Sequence, residues 1–151
     1  MQTKLSFRFV VTLITLLCLS NLSAQQDSII FHAPADPARA SAPFSEAVQV
    51  GNLFFLAGQI GMDRSVGKLA EGGIKGQTEQ AIRNIKGVLE HHGLSLDHVV
   101  KCTVILADIN DFRAFNEVYV KYFPKKPART TYAAAGLAVG AQIEIDVIAV
   151  Q

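Results

Sequence analysis

The sequence predicts a single α+β domain, and three observations carry that reading. Residues 74–92 and about 111–123 repeat apolar residues at helical spacing. Around them stand short runs rich in β-branched and aromatic residues, bounded by Gly, Asn and Pro. The two kinds of segment interleave in the order β-β-α-β-α-β-β, with a further short strand near Ile29. Crossovers between parallel strands are right-handed, so both helices should lie on one face of one sheet.

The elements follow in order. Residues 25–43 have no clear period and carry Pro34, Pro37 and Pro43, which suits an arm leading to a short strand and then a loop. Residues 47–50 and 53–57 read as two strands joined at Gly51-Asn52, a hairpin whose second strand runs into Gly58-Gln59-Ile60-Gly61. Residues 63–73, rich in Gly and polar side chains, should form a loop. In the first helix Ile74, Thr78, Ala81, Ile82, Ile85, Val88 and Leu89 share one face, Gln77, Glu79, Arg83 and Lys86 fall elsewhere, and Gly93 is the stop signal. Residues 99–107 form a largely apolar strand. Asp108 to Asp111 is a helix-start cluster. The second helix presents Phe112, Phe115, Val118, Tyr119 and Tyr122, and Pro124 ends it. Residues 128–135 are a strand of small residues, and 136–140 a turn. In the final strand, 143–150, Ile143, Ile145 and Val147 point one way while Glu144, Asp146 and Ile148 point the other. A half-apolar sheet face carrying carboxylates suits a subunit interface or a cavity wall.

Composition sets the limits. The chain has 151 residues, 50% hydrophobic and 18% charged, enough for one packed domain and against disorder. A net charge of +1 makes no general electrostatic case for a nucleic-acid partner. Residues 1–24 resemble a secretory signal peptide: Lys4 and Arg8 precede an apolar run over 9–19, too short for a comfortable span, and Leu22-Ser23-Ala24 offers a cleavage point. The alternative is an uncleaved N-terminal anchor. Cleavage would leave a domain of residues 25–151 with 12 basic and 13 acidic residues, a net charge of −1 and one cysteine, Cys102. Export to a periplasm or the exterior, with no membrane contact after cleavage, is the expectation. Such a domain, having no internal disulfide, depends on its core or on partner subunits.

Two residues stand out chemically. Arg129, at the entry to a strand, has the planar fork that binds a carboxylate bidentately; an ordinary surface or ion-pairing arginine fits the local sequence too. Glu144 sits in an apolar strand, where a carboxylate needs a partner or a water to handle; a structural ion pair is the alternative. Phe44 either walls a pocket or packs. Asn116 is either a surface residue or a hydrogen-bonding group at the rim of the core. Glycines in the 58–61 stretch permit either a ligand's close approach or a strand bulge. No phosphate-binding loop, metal-ligand spacing or hydrolytic triad is present, and Cys102 reads as a small core residue.

Several segments in this order resemble the Rid family of reactive intermediate deaminases (YjgF-type), over about residues 42–151. They are Ala42-Pro43-Phe44-Ser45, Ala57-Gly58-Gln59-Ile60-Gly61, Gln80-Ala81-Ile82-Arg83-Asn84-Ile85, Val100-Lys101-Cys102-Thr103-Val104, Asp108-Ile109-Asn110-Asp111-Phe112, Pro127-Ala128-Arg129-Thr130 and the strand 143–150. The resemblance implies a chorismate-mutase-like fold of the bacillus type. It also implies a homotrimer with a barrel-like centre and a ligand cleft at each subunit junction. It implies hydrolysis of enamines and imines of the 2-aminoacrylate and 2-iminopropanoate type to 2-keto acids and ammonia, without metal or organic cofactor. Arg129 matches the residue that grips the substrate carboxylate, and Glu144 the one that positions or activates water. Phe44, Gly58, Asn116 and Thr131 match positions lining the cleft. Phe44 stands where the best-studied subgroup has tyrosine, Ala57 where it has serine, Thr131 where it has cysteine and Ala138 where it has proline. Arg129 and Glu144 are retained, which favours an exported imine deaminase. The altered surroundings keep open a non-catalytic protein that binds small carboxylates. A ribonuclease is the third reading, disfavoured by the charge of −1 and the absence of a basic aromatic surface.

Overall fold

The protein is described here by a computed structural model covering residues 28–151; the expected signal peptide, 1–24, lies outside the described residues. Strands β1 (Ile29–His32), β2 (Ala47–Val50), β3 (Leu53–Ile60), β6 (Val99–Leu106), β7 (Ala128–Ala133) and β8 (Ile143–Val150) form one mixed sheet in the order β1-β2-β3-β8-β6-β7. Only β6 and β7 pair in parallel. The short strands β4 (Met62–Asp63) and β5 (Lys68–Leu69) make a small separate hairpin inside the segment expected to be a loop. Helices α1 (Gly73–His91) and α2 (Phe112–Tyr122) start and stop within a residue or so of the expected bounds. The mixed α+β fold expected from the sequence is present, including the strand near Ile29. Among the described residues no helix is long and apolar enough to cross a membrane.

Sequence period explains the layering. Ile143, Ile145, Val147 and Ala149 of β8 are buried in one core with Ala81, Ile82, Ile85 and Leu89 of α1 and Phe115 and Tyr119 of α2. Every residue assigned to the apolar face of α1 is buried. Gln77 is buried as well, contrary to its expected placement off that face. Its Oε1 accepts a hydrogen bond from the Gln142 backbone N–H at 2.8 Å, a partner 65 residues away that no local pattern reveals. Helix α1 ends as expected at Gly93, whose φ of 73° lets the Gly93 N–H reach Glu90 O and the Leu94 N–H reach Leu89 O. This is a Schellman closure that satisfies two terminal carbonyls.

Among the described residues no helix covers the opposite sheet face. One row across it runs Phe31, Val48, Phe55, Ile148 and Lys101; Phe31 and Phe55 are exposed. In β6 a register shift between Val99 and Lys101 leaves Val100 as an extra, exposed residue. The shift puts Lys101 on the open face and Cys102 in the core, so in-and-out alternation along this strand is broken at its start.

Candidate active site

Glu144, near the start of β8, points to the open face, in register with Ile60 of β3 and Ile105 of β6. A bulge between Leu56 and Gln59 interrupts the pairing of β3 with β8, and Gly58 lies in it. A Cβ on Gly58 would overlap Glu144 Oε1 and lie 2.9 Å from Cδ. The bulge read from the sequence is therefore present, and it brings a side chain of this chain close to Gly58. The group that approaches is the Glu144 carboxylate. That carboxylate is half-buried and has no hydrogen-bond or ion-pair partner among the described residues. It opens on a cavity of roughly 300 Å³ lined by Phe44, Ile60, Met62, Arg39 and Arg64, among others. Phe44 is one wall and is about half exposed. Asn84 of α1 braces the floor, donating from Nδ2 to the carbonyls of Ile60 at 3.1 Å and Met62 at 3.0 Å.

Arg129 sits elsewhere. It pairs in register with Cys102, so its side chain leaves the helix-covered face at the β7 edge. Three aromatic rings of α2 hold it: the guanidinium carbon is 4.5 Å from the Tyr119 ring centroid, 5.0 Å from Phe115 and 5.6 Å from Phe112. Such stacking fixes the planar fork through its faces and leaves donors at its edge for a ligand. No carboxylate forms an ion pair with it among the described residues, so the fork is open to an incoming acid. Arg129 borders a second cavity, about 530 Å³, together with Asn116, Tyr119, Val120, Phe123 and Lys126.

Beneath Arg129, burial raises the pKa of both the Tyr119 phenol and the Cys102 thiol, so both stay protonated near neutrality. Thr131 Oγ1 is buried without a hydrogen-bond partner among the described residues, while the Tyr119 phenol lies against the Cys102 thiol and the Arg129 guanidinium. Cys102 is wholly buried, in keeping with the core role read from sequence.

Five of the six sequence-derived site residues thus fall into two groups. Phe44, Gly58 and Glu144 share one cavity and Asn116 and Arg129 the other, while Thr131 lines neither. Within one chain Arg129 and Glu144 cannot meet. Val147 is the β8 residue level with Arg129 through Cys102, and Glu144 lies three residues from it and two strands from β7. Strand spacing and rise place their Cα atoms about 14 Å apart, with side chains on opposite sheet faces.

The family described as endoribonuclease L-PSP, the YjgF/Rid family, matches residues 34–151. The chain belongs to this family. Among its Rid-family relatives, human 2-iminobutanoate/2-iminopropanoate deaminase is 46% identical over 110 residues, 72% of this chain and 80% of that protein. Protein HMF1 of Saccharomyces cerevisiae is 50% identical over 113 residues, 74% of this chain and 87% of that protein. The crystal structure of RidA from the Antarctic bacterium Psychrobacter matches with a TM-score of 0.70 and 38% identity, covering 84% of this chain and 99% of that one.

Sequence reasoning did not pick out Arg39, Arg64 or Tyr119 as site residues of this Rid-family chain. Arg39 and Arg64 lie in irregular segments where no period marks orientation. The available signal for Arg39 was its isolation, a single charge within the small-residue run Pro37-Ala38-Arg39-Ala40-Ser41-Ala42. Tyr119 was assigned to the core, and its buried ring is also the platform for Arg129.

Proposed function

We propose that this protein is an imine deaminase that hydrolyses small 2-imino acids to 2-keto acids and ammonia, at a site shared between two copies of the chain. The observation that carries the reading is Glu144: a half-buried carboxylate without a hydrogen-bond or ion-pair partner among the described residues, held against a glycine and facing a cavity. Such a group is suited to orient and deprotonate water. Arg129, stacked on aromatic rings and in no ion pair among the described residues, is suited to grip the substrate carboxylate. In a composite site, Glu144 of one copy takes a proton as water attacks C2 of the imine. The resulting carbinolamine loses ammonia, which carries the proton away, and the C=O of the keto acid forms. Placement of the two reactants supplies most of the acceleration, because the free imine already hydrolyses in water.

The half-sites require an assembly, and a homotrimer with a cleft at each junction is the proposed one. Two observations support it: the separation of Arg129 from Glu144 and the apolar row on the uncovered sheet face. The names of the similar proteins support the substrate class. A non-catalytic carboxylate binder would also use Arg129, but it has no need of a water-facing Glu144. Export is also proposed; it rests on Lys4, Arg8 and the apolar run over 9–19, and amino-terminal sequencing of protein recovered outside the cytoplasm tests it.

The activity test generates 2-iminopropanoate and 2-iminobutanoate in place with an amino-acid oxidase and traps them with semicarbazide. Added protein should lower semicarbazone formation, and Arg129→Ala and Glu144→Ala should each abolish the effect. Absence of any effect from folded, assembled protein would overturn the deaminase reading for these substrates.

A further inference from the structure

Two arginine side chains line the Glu144 cavity, and a three-carbon imino acid offers them no group of its own. The carboxylate beside the reacting carbon is assigned to Arg129 in the other half-site, yet Arg39 and Arg64 both line the cavity that contains Glu144. Resting on the deaminase reading, we propose that this site selects 2-imino acids bearing a second acidic group on the side chain, with Arg39 and Arg64 receiving that group.

The argument begins with Glu46, a carboxylate only 3% exposed. Arg39 Nη1 lies 2.7 Å and Arg64 Nη1 3.6 Å from the same oxygen, Oε1. The other oxygen, Oε2, accepts from the Ala35 backbone N–H at 3.3 Å. Arg64 Nη2 donates to Gln59 Oε1 at 2.6 Å. Two guanidiniums bring ten N–H donors between them, and these contacts occupy only a few. Both side chains remain partly exposed, 23% for Arg39 and 32% for Arg64.

The two cations also crowd one another. Burial, and then the charge of Arg39, lower the pKa of Arg64, while Glu46 and Asp36 act in the opposite direction. The acids facing this end are thus Glu46 and Asp36, with Glu144 across the cavity. An arriving anion adds charge-assisted hydrogen bonds where two like charges already face one opening.

The wall between the two ends is apolar. Phe44, Ile60 and Met62 line it, and Arg39 lies over the Phe44 ring at 5.9 Å. Methylene groups fit such a wall. The cavity volume of roughly 300 Å³ equals about ten waters' share of the liquid. A 2-iminopropanoate has six non-hydrogen atoms and a 2-iminoglutarate ten, so the larger molecule uses space the smaller leaves to solvent.

The test compares two five-carbon imines that differ at the far end. One is 2-iminoglutarate, made from glutamate by L-glutamate oxidase; the other is 2-iminopentanoate, made from norvaline by an L-amino-acid oxidase. Wild-type protein should favour 2-iminoglutarate in kcat/KM by about tenfold. Arg64→Gln and Arg39→Gln should each cut that ratio severalfold, and Arg64→Lys should retain part of it. A wild-type ratio near or below one, or a ratio indifferent to both Gln variants, would overturn the proposal. Calorimetric binding of 2-oxoglutarate against 2-oxopentanoate separates this inference from the activity it rests on. Arg64-dependent preference for 2-oxoglutarate without imine hydrolysis would sustain the acidic-ligand site and sink the deaminase. Hydrolysis of the neutral imine with no preference for the diacid in either assay would do the reverse.

Discussion

Two singly inactive variants should restore one another when mixed. Arg129→Ala keeps the Glu144 half-site and Glu144→Ala keeps the Arg129 half-site. Their Cα atoms stand about 14 Å apart on opposite faces of one chain's sheet, so neither chain completes a site alone. In the proposed cyclic assembly each cleft would draw Glu144 from one chain and Arg129 from its neighbour. Denaturing the two variants together at equal concentration and refolding them should therefore give about one quarter of the wild-type sites. The semicarbazone assay reads the rate, and native mass spectrometry reads the fraction of mixed assemblies. A companion mixture of wild type with the double variant should also give about one quarter, because both neighbours must then be wild type. A site built within one chain gives none in the first mixture and about half in the second. Mixed assemblies that recover no activity would refute the composite site.

Three further outcomes follow from particular contacts. Gly58→Ala drives a methyl group into the Glu144 carboxylate; kcat should fall on the order of a hundredfold, as for a small misplacement of a reacting group, while the thermal midpoint moves little. Phe115→Ala empties a fully buried position and should cost about 3–5 kcal/mol in denaturant unfolding; since that ring also supports Arg129, KM for the imine should rise in whatever fraction folds. Stability should fall as pH climbs above the ordinary thiol range of about 8.5 and more steeply beyond the phenol range of about 10. Burial raises both folded-state pKa values, so the unfolded chain releases protons that the folded chain still holds. Urea titrations at several pH values should show this slope flattened in Cys102→Ala and Tyr119→Phe.

Much of the architecture was legible in the chain because period and punctuation agree there. Strand β8 alternates buried and half-buried residues along its whole length, and Gly93 ends α1 by the geometry that glycine permits. What escaped was whatever depends on phase between distant segments. Gln77 reads as polar on a helix, yet it is buried because Gln142 meets it from a separate loop. Arg129 and Glu144 were both identified, and each strand's own alternation was readable. Whether two strands share a face depends on their mutual register, which the bulges at Gly58 and Val100 shift. The resemblance, not the local pattern, brought Arg129 and Glu144 into one reaction. Arg39 and Arg64 went unnoticed because their orientation is set by Glu46, whose burial on the sheet side of the arm leaves no periodic trace.

The position of β8 affects how the molecule comes into being. It follows every other strand in the sequence, yet it lies at the middle of the sheet, joining β3 on one side to β6 on the other. Until it leaves the ribosome, β1-β2-β3 and β6-β7 are two fragments with no common neighbour, each with a bare hydrogen-bonding edge. The decisive pairings span long stretches of chain, which makes them slow to form. A cooperative native state is therefore available only once β8 has been made and has joined the two fragments. The same delay makes the last eight strand residues the ones whose loss divides the sheet in two.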